Sequence, residues 1–214
     1  FLGNLKFSES KTQKNSALNK NIEKTFKSRK IWCAVSTHNG EEKICAEAHQ
    51  KLKKKYKKLL TVIIPRHVHR VNDIYKEIVD MGFKVQIHSK KNKIKKDTDI
   101  YLVDTYGETK SFFKICNTVF LGGSIVNHGG QNPLEPARLG CKIFHGPNIH
   151  NFTEVYRLLS KENLSSKFYN SNQLVKLVNK SLNQNMNFSK KIAKLEKMGS
   201  NILNNTLTEI NQYL

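Results

Sequence analysis

The sequence predicts an α/β fold in which helices cover both faces of a doubly wound parallel sheet. Short apolar runs rich in β-branched residues recur from Ile31 onwards, and such runs are typical of strands that are buried on both faces. Longer segments with apolar residues at helical spacing lie between most of these runs, and strands that alternate with helices form right-handed parallel units. The length of 214 residues suits one such domain and is short for two.

The individual elements follow from the same patterns. The predicted strands cover 31–35, 59–64, 83–87, 100–103, 119–121 and 142–144. The predicted helices cover 42–56, 71–81, 151–160, 171–182 and 189–213. The last helix is predicted to be capped by Ser189 and interrupted at Gly199, because glycine weakens a helix interior. Before the first strand, a polar segment over 8–30 carries Leu18, Ile22 and Phe26 at intervals of four, which predicts a surface helix with one apolar stripe.

The charge of the chain indicates an anionic partner. There are 37 Lys and Arg against 17 Asp and Glu, so the formal net charge is +20. A nucleotide, a phosphorylated lipid and nucleic acid all fit such an excess. A nucleic-acid module is the weaker alternative, because the lysines are spread along helices and no helix-turn-helix, zinc or RNA-recognition motif is present. No apolar run approaches the about 20 residues that a membrane-spanning helix requires.

Two further features concern the cellular setting. The four cysteines lie far apart inside apolar stretches, which predicts reduced core residues in a cytosolic protein; they are Cys33, Cys45, Cys116 and Cys141. The chain starts at Phe1 without an initiator methionine or a signal peptide. We therefore expect it to be a piece of a longer protein.

The loops after the strands are the candidate site, because ligands bind beyond the carboxyl ends of the strands in such a sheet. After the first strand, the polar loop 36–40 leads into a helix that begins with Glu41 and Glu42. Backbone N–H groups at that helix start are suited to a phosphate or a carboxylate. In the alternative interpretation, the two glutamates only complement the helix dipole.

The second strand is followed by a group of cationic side chains. Arg66 presents a planar fork that matches phosphate or carboxylate oxygens, and His67 can donate a hydrogen bond or stack on a base. His69 and Arg70 either belong to this group or are ordinary solvated surface. A metal site at His67 and His69 is disfavoured, because alternate residues of an extended segment point to opposite sides and no nearby carboxylate or thiolate completes a ligand set.

Two more loops follow the fourth and fifth strands. The turn 104–108 opens a helix, and glycines recur between 122 and 130, where they allow the backbone to approach a ligand. Asn132 is a predicted N-cap, with Pro133 at the first helical position. Glu135 either stabilises the first helical turn or accepts two hydrogen bonds from a ribose diol. The joint placement of these loops at successive strand ends favours a nucleotide site.

Six short motifs carry a resemblance to a known family, and they cover 3–6, 36–42, 65–70, 104–108, 122–124 and 132–136. With these motifs in this order, the chain resembles the C-terminal domain of bacterial 3-deoxy-D-manno-octulosonic acid (Kdo) transferases from Gly3 to about Leu182. It departs from the family pattern at Tyr106, where methionine is usual, and at Gln131, where histidine is common.

The resemblance implies the donor-binding half of an inverting glycosyltransferase of GT-B type. Such an enzyme moves Kdo from CMP-Kdo to lipid IVA, the lipid A precursor, at the cytoplasmic face of the inner membrane. An anionic membrane surface is a further expected partner of the full-length protein, and no metal ion or other cofactor is expected. Other nucleotide-sugar enzymes of this type, such as a UDP-sugar epimerase or a sialyltransferase, remain alternatives.

The resemblance also implies an organisation of the chain. Residues 1–30 would be an interdomain segment with an N-terminal helix, residues 31–188 the Rossmann-like donor domain, and residues 189–214 a helix that returns to an N-terminal domain. The general base belongs to that N-terminal domain in the family and is absent from this chain. We therefore expect the chain alone to be soluble and inactive.

Individual residues acquire expected roles from the same resemblance. The donor nucleotide would contact Pro65, Arg66, His67, Tyr106, Gly107, Glu108, Gly123, Ser124, Asn132, Pro133, Leu134 and Glu135. The sugar would contact Ser36, Thr37, His38, Gly40 and Glu41. Lys6 would neutralise the sugar carboxylate or the leaving phosphate as a possible transition-state stabiliser. Because negative charge grows on the departing phosphate, Arg66 and the helix capped by Asn132 are the natural groups to stabilise it.

Overall fold

A computed structural model describes residues 18–90, 93–184 and 188–211. Within these residues, seven parallel strands form one sheet; they are β1 (Lys30–Thr37), β2 (Leu59–Pro65), β3 (Val85–Ile87), β4 (Ile100–Leu102), β5 (Thr118–Leu121), β6 (Lys142–His145) and β7 (Ser165–Lys167). The helices are α1 (Lys20–Lys27), α2 (Glu41–Lys53), α3 (Val71–Asp80), α4 (Thr109–Ile115), α5 (Leu134–Arg138), α6 (Thr153–Lys161), α7 (Ser171–Leu182) and α8 (Ser189–Asn211). Single 3₁₀ turns occur at Val68–Arg70 and His150–Phe152. The predicted doubly wound α/β fold is confirmed.

The strand order places a topological switch point between β1 and β5. Across the sheet the strands follow the order β3-β4-β2-β1-β5-β6-β7. The chain therefore builds outward from β1 on one side and then returns to its other side with β5. Val35 of β1 is in register with both Ile64 of β2 and Leu121 of β5. The loops after these three strands consequently start side by side at the carboxyl edge, where such sheets bind ligands.

Two apolar layers hold the helices on the sheet. One face packs against α1, α4, α5, α6 and α8, and the other against α2, α3 and α7. The predicted stripe of α1 is confirmed, since Leu18, Ile22 and Phe26 are all buried in the first layer. All four cysteines are buried free thiols, as expected for core residues.

Two sequence predictions about elements are wrong. The edge strand β7 was not predicted, because Ser165, Ser166 and Lys167 carry no apolar signal and the strand is defined by pairing with β6. Helix α8 runs without interruption through Gly199 and begins with Ser189 inside the helix instead of at the cap. Gly199 is buried, four residues after the core residue Leu195, and packing of this side of α8 on the core offsets the low helix propensity of glycine.

Several boundaries differ by one or two residues from those predicted. Strand β3 starts at Val85 instead of Phe83, and β1 extends through Thr37. The predicted segments at 8–17 and 212–213 lie outside the described residues. Among the helices described, none combines the length and the apolar character that crossing a membrane would need.

Candidate functional site

The loops after β1 and β5 converge on Gly123. A Cβ atom at this position would lie 3.1 Å from Cε1 of His38, 3.2 Å from Cδ2 of His128 and 3.3 Å from Nε2 of Gln131. Gly123 also has a φ of +65°, in the left-handed region that glycine tolerates best. The close approach of three side chains and the backbone conformation together require glycine here.

The carboxylate of Glu41 joins these two loops. Its Oε2 accepts backbone N–H groups from His38 at 2.9 Å and from Gly123 at 2.8 Å. Its Oε1 accepts those of Ser124 at 3.1 Å and Ile125 at 2.9 Å. The side chain has no exposed surface. Glu41 therefore organises the strand ends from inside the protein, and it does not face a sugar as expected from the resemblance.

The next residue, Glu42, has a different partner. Its buried carboxylate receives a bidentate pair from Arg70, with Nη1 to Oε1 at 3.0 Å and Nη2 to Oε2 at 3.3 Å. Burial raises the pKa of the Glu42 carboxyl, and Arg70 opposes this effect. Arg70 therefore ties the loop after β2 to α2, which corrects the alternative that it is ordinary solvated surface.

Close backbone packing explains why glycine follows β5. A Cβ at Gly122 would lie 2.4 Å from the carbonyl oxygen of Ser36. Ser36 itself has a φ of +54° and interrupts the regular register between Val35 and Thr37. Glycine at position 122 thus allows the ends of β1 and β5 to pack closely together. The sequence suggested that the glycines let a ligand approach the backbone. At Gly122, the end of β1 occupies that space instead.

Ser124 is likewise committed to the protein interior. Its hydroxyl donates to the Leu121 carbonyl at 2.6 Å and accepts the N–H of Gly146 at 2.8 Å. The residue is fully buried, and its own N–H donates to Glu41. Contact of Ser124 with a nucleotide, expected from the resemblance, does not follow from this placement.

A group of histidine rings lies at the same edge. The ring centroids of His38 and His128 are 4.3 Å apart, and those of His38 and His67 are 6.0 Å apart in an edge-to-face arrangement. Burial lowers the pKa of His38, and the neighbouring imidazoles act in the same direction. His38 therefore tends to be neutral in the absence of an anion.

Arg66 is the cation best placed for an anionic ligand. Its backbone N–H donates to the Thr37 carbonyl at 3.0 Å, which fixes the chain just beyond the buried Pro65. The Arg66 side chain is exposed, and within the described part of the chain no acid or carbonyl pairs with its guanidinium. The side chain is therefore accessible to an anionic ligand, and its contact with a phosphate stays a prediction.

Glu108 is positioned by a network that begins in the core. Its Oε2 lies 3.0 Å from Nε2 of His88 and accepts the hydroxyl of Thr105. Because a carboxylate can only accept, Nε2 of His88 donates and Nδ1 accepts from the Tyr101 hydroxyl at 2.9 Å. Burial raises the pKa of that Tyr101 hydroxyl, which therefore stays protonated and holds the orientation of the ring.

Tyr106 and Gly107 directly precede Glu108 in the same loop. Tyr106 is 69% exposed, with its ring free to face a planar ligand. Gly107 has a φ of +83°, which forms the turn between them. The three residues lie in the loop that follows β4, the strand next to β2.

The segment at the start of α5 contains four further residues that were expected to contact the nucleotide. The N-cap of α5 is Pro133, with Leu134 as the first helical residue, so the predicted cap at Asn132 is wrong by one position. Asn132 Oδ1 still accepts the N–H of Leu134 at 3.1 Å and so holds the turn that leads into the helix. The side chains of Pro133 and Leu134 are buried, which leaves only their backbone for a ligand. Glu135 Oε1 lies 3.1 Å from Nζ of Lys110 in α4.

Other expected residues are placed as follows. Thr37 is buried, and Gly40 has a φ of +87° immediately before α2. Lys6 lies outside the described residues. Across 18–90, 93–184 and 188–211, no group of three or more His, Cys, Asp or Glu side chains is arranged to hold a metal ion.

No protein-family model matches the chain. The 3-deoxy-D-manno-octulosonic acid transferase of Haemophilus influenzae is 37% identical over 131 residues, which cover 61% of this chain and 31% of the relative. The enzyme of the same name from Aquifex aeolicus is 32% identical over 142 residues, which cover 66% of this chain and 39% of the relative. The chain is a homologue of the Kdo transferases. It spans less than two fifths of the length of these two curated relatives.

Solved structures show the same fold as this Kdo transferase homologue. The C-terminal CMP-Kdo binding domain of WaaA from Acinetobacter baumannii superposes with a TM-score of 0.70 at 23% identity, over 86% of this chain and 97% of that domain. An α,α-trehalose-phosphate synthase from Burkholderia vietnamiensis gives a TM-score of 0.52 at 10% identity, over 87% of this chain and 44% of the synthase.

Sequence reasoning missed three residues of the site in this Kdo transferase homologue. They are His88, Lys110 and His128. His88 directly follows a predicted strand, so the rule that site residues follow strands could have identified it. Lys110 and His128 carried no comparable signal, because their contacts with Glu135 and His38 bridge separate loops.

Proposed function

We propose that this chain is the donor-binding part of an inverting GT-B glycosyltransferase that transfers Kdo from CMP-Kdo to lipid IVA, the lipid A precursor. The observation that carries the proposal is the 37% identity over 131 residues to a Kdo transferase. The fold shared with 97% of a CMP-Kdo binding domain supports it. The reaction would take place at the cytoplasmic face of the inner membrane, where the net charge of +20 favours an anionic surface.

The site contains groups suited to each part of CMP. The exposed fork of Arg66 fits the phosphate. The half-exposed carboxylate of Glu135 can accept hydrogen bonds from the ribose diol. The exposed ring of Tyr106 offers a surface for the base, beside the fixed carboxylate of Glu108.

The chemistry divides between this chain and the rest of the enzyme. Departure of CMP places negative charge on its phosphate, and a cation and a helix N-terminus aimed at that charge lower the barrier. Arg66 would act in this way. The proposal assigns the base that activates the acceptor hydroxyl to the other domain, and it includes no metal ion or other cofactor.

Titration of the 214-residue chain with CMP, UMP and AMP tests the proposal, with heteronuclear NMR as the readout. We expect CMP to bind most tightly and to shift signals around Arg66, Tyr106 and Glu135. Arg66→Lys should weaken CMP binding, because a point charge cannot reproduce a bidentate fork. Arg157→Lys, at an exposed position of α6, is the matched control.

The rival functions give different results in the same titration. Equal affinity for the three nucleotides would reduce the site to a generic phosphate site. Preference for UMP would favour a UDP-sugar enzyme. Tighter binding of an oligonucleotide than of CMP, with shifts spread over the lysine-rich helices, would support the nucleic-acid module and overturn the proposal.

A further inference from the structure

Three imidazole rings from three different loops meet at the switch point of the sheet. His38 follows β1, His67 follows β2 and His128 lies in the loop after β5. His38 is in the middle, with ring centroids 4.3 Å from His128 and 6.0 Å from His67. The side chains of His128 and His67 are exposed, whereas the His38 side chain is only 15% exposed.

The central ring has one satisfied and one unsatisfied nitrogen. Nδ1 of His38 lies 3.1 Å from the Ser36 carbonyl oxygen, which requires this nitrogen to donate. Nε2 is buried and finds no hydrogen-bond partner among the described residues. A buried polar atom without a partner is costly, and a ligand that supplies one would remove the cost.

The charged surroundings indicate which kind of ligand that is. The groups that face His38 are His128, His67 and Glu41, whose Oε2 is 3.9 Å from Nδ1. Glu41 already accepts four backbone N–H groups and has no exposed surface. Next to His67, the Arg66 side chain is exposed. This edge of the sheet therefore presents Arg66, the three imidazoles and His69, whose ring stacks on that of His67 at 5.5 Å, while the Glu41 carboxylate is turned inward.

We propose that His38, His128 and His67 form the seat for the carboxylate of the donor sugar. The inference rests on the proposed function and deepens it. A Kdo donor carries two anionic groups, a phosphate diester and a carboxylate, both attached to the anomeric carbon of the keto acid. Arg66 would take the phosphate, and the adjacent histidines the carboxylate. The exposed ring of His128 would turn aside to admit the carboxylate to Nε2 of His38.

Proton uptake is a consequence of this arrangement. A carboxylate has no proton to donate, so Nε2 of His38 must carry one when the carboxylate binds. Burial and the two neighbouring imidazoles keep the pKa of His38 below its usual value in the free protein. Binding therefore adds a proton to the histidine group, and affinity for the carboxylate should rise as the pH falls.

A pair of ligands isolates the contribution of the sugar acid. Freshly prepared CMP-Kdo and the methyl phosphodiester of cytidine have the same phosphate charge, and only the first has a carboxylate. Their affinities for the 214-residue chain are measured at about pH 6 and about pH 8, on either side of the ordinary histidine pKa. The measured quantity is the affinity advantage of CMP-Kdo over the methyl diester.

We expect this advantage to be about tenfold larger at the lower pH, as fits one charge-assisted hydrogen bond. His128→Asn and His38→Asn should remove the pH dependence while leaving affinity for the methyl diester unchanged. His150→Asn, at an exposed histidine of the same edge outside these ring contacts, should retain it. Unchanged affinity for the methyl diester also shows that each variant is folded.

Three outcomes would overturn the inference. The advantage could be independent of pH in the parent chain. Its increase at the lower pH could persist in both the His38 and His128 variants. It could also grow as the pH rises, which would mean that neutral His38 accepts from a sugar hydroxyl. Failure of the methyl diester and CMP to bind at all would instead reject the proposed function, and the carboxylate seat with it.

Discussion

Oε2 of Glu41 accepts the backbone N–H of Gly123 at 2.8 Å, and this contact fastens the first turn of α2 to the loop after β5. The switch point of a parallel sheet commonly receives a ligand. In this protein, part of that space is filled by an internal carboxylate. The two side chains proposed to hold the nucleotide, Arg66 and Glu135, instead have exposed surface.

Replacement of Glu41 by glutamine should destabilise the fold. A neutral amide retains one good acceptor oxygen and turns an NH₂ group towards buried N–H donors, so at least one donor loses its partner. We expect the free energy of unfolding to fall by about 3 kcal/mol, the upper part of the range for an unsatisfied buried group. Urea denaturation of both proteins measures the difference.

Glu47→Gln on the same helix is the matched control, and it should change the free energy of unfolding little. Equal stability of Glu41→Gln and the parent chain would contradict the structural role of Glu41. Weaker binding of CMP-Kdo without loss of stability would instead support the sugar contact that the resemblance implies for Glu41.

The fold was predictable because its signals are local. The run from Leu59 to Ile64 is apolar except at Thr61 and β-branched from Thr61 onwards, and in the structure every residue of β2 is buried. Helical spacing likewise marked α3, which starts at the predicted Val71. The patterns that mark doubly buried strands and amphipathic helices lie within consecutive residues. They can therefore be recognised without knowledge of distant contacts.

Features that depend on distant contacts could not be predicted. Strand β7 exists because β6 offers it a free edge, and α8 continues through Gly199 while Leu195 and Ile202 of the same helix pack on the core. The roles of Glu41 and His128 are of the same kind. Glu41 meets N–H groups more than eighty residues along the chain, and His128 meets His38 across the switch point.

Replacement of Glu135 by glutamine should weaken nucleotide binding and leave the fold intact. The Glu135 carboxylate is 38% exposed and pairs with Lys110, and exposed pairs contribute little to stability. If Glu135 accepts from the ribose diol, the loss of binding free energy should be about 1 to 3 kcal/mol. Isothermal titration with CMP measures it, with Glu196→Gln on α8 as the control. Unchanged CMP affinity would leave Glu135 as a partner of Lys110 only.

Mild acid should destabilise the protein through His145. Burial lowers the pKa of this imidazole to about 4, whereas the ordinary value in an unfolded chain is about 6.5. Between these values the unfolded state binds the additional proton, so the free energy of unfolding falls as the pH falls from about 6.5 to about 4. The contribution of His145 over this window is about 3 kcal/mol.

Urea denaturation as a function of pH tests this linkage. His145→Gln should flatten the dependence between about pH 6.5 and about pH 4. His69→Gln, at an exposed position, should leave the dependence unchanged. Because burial also lowers the pKa values of His38 and His49, some dependence should persist in the His145 variant, and an unaltered slope would contradict the assignment.

The chain alone should transfer no Kdo, even with saturating CMP-Kdo and lipid acceptor. It covers 31% and 39% of two homologous transferases, and the described carboxylates nearest the switch point, Glu41 and Glu42, are buried and hydrogen-bonded. The proposed function assigns the base to the other domain, and a positioned base contributes a factor of about 10² to 10⁴, so turnover by this chain should fall below detection. A radiolabelled Kdo transfer assay measures the turnover, and fusion of the chain to the N-terminal half of a homologous transferase should restore activity.

Turnover by the chain alone would contradict this prediction. If Glu41→Gln abolished that turnover and Glu47→Gln retained it, the base would lie in this chain and the proposed division of roles would be rejected.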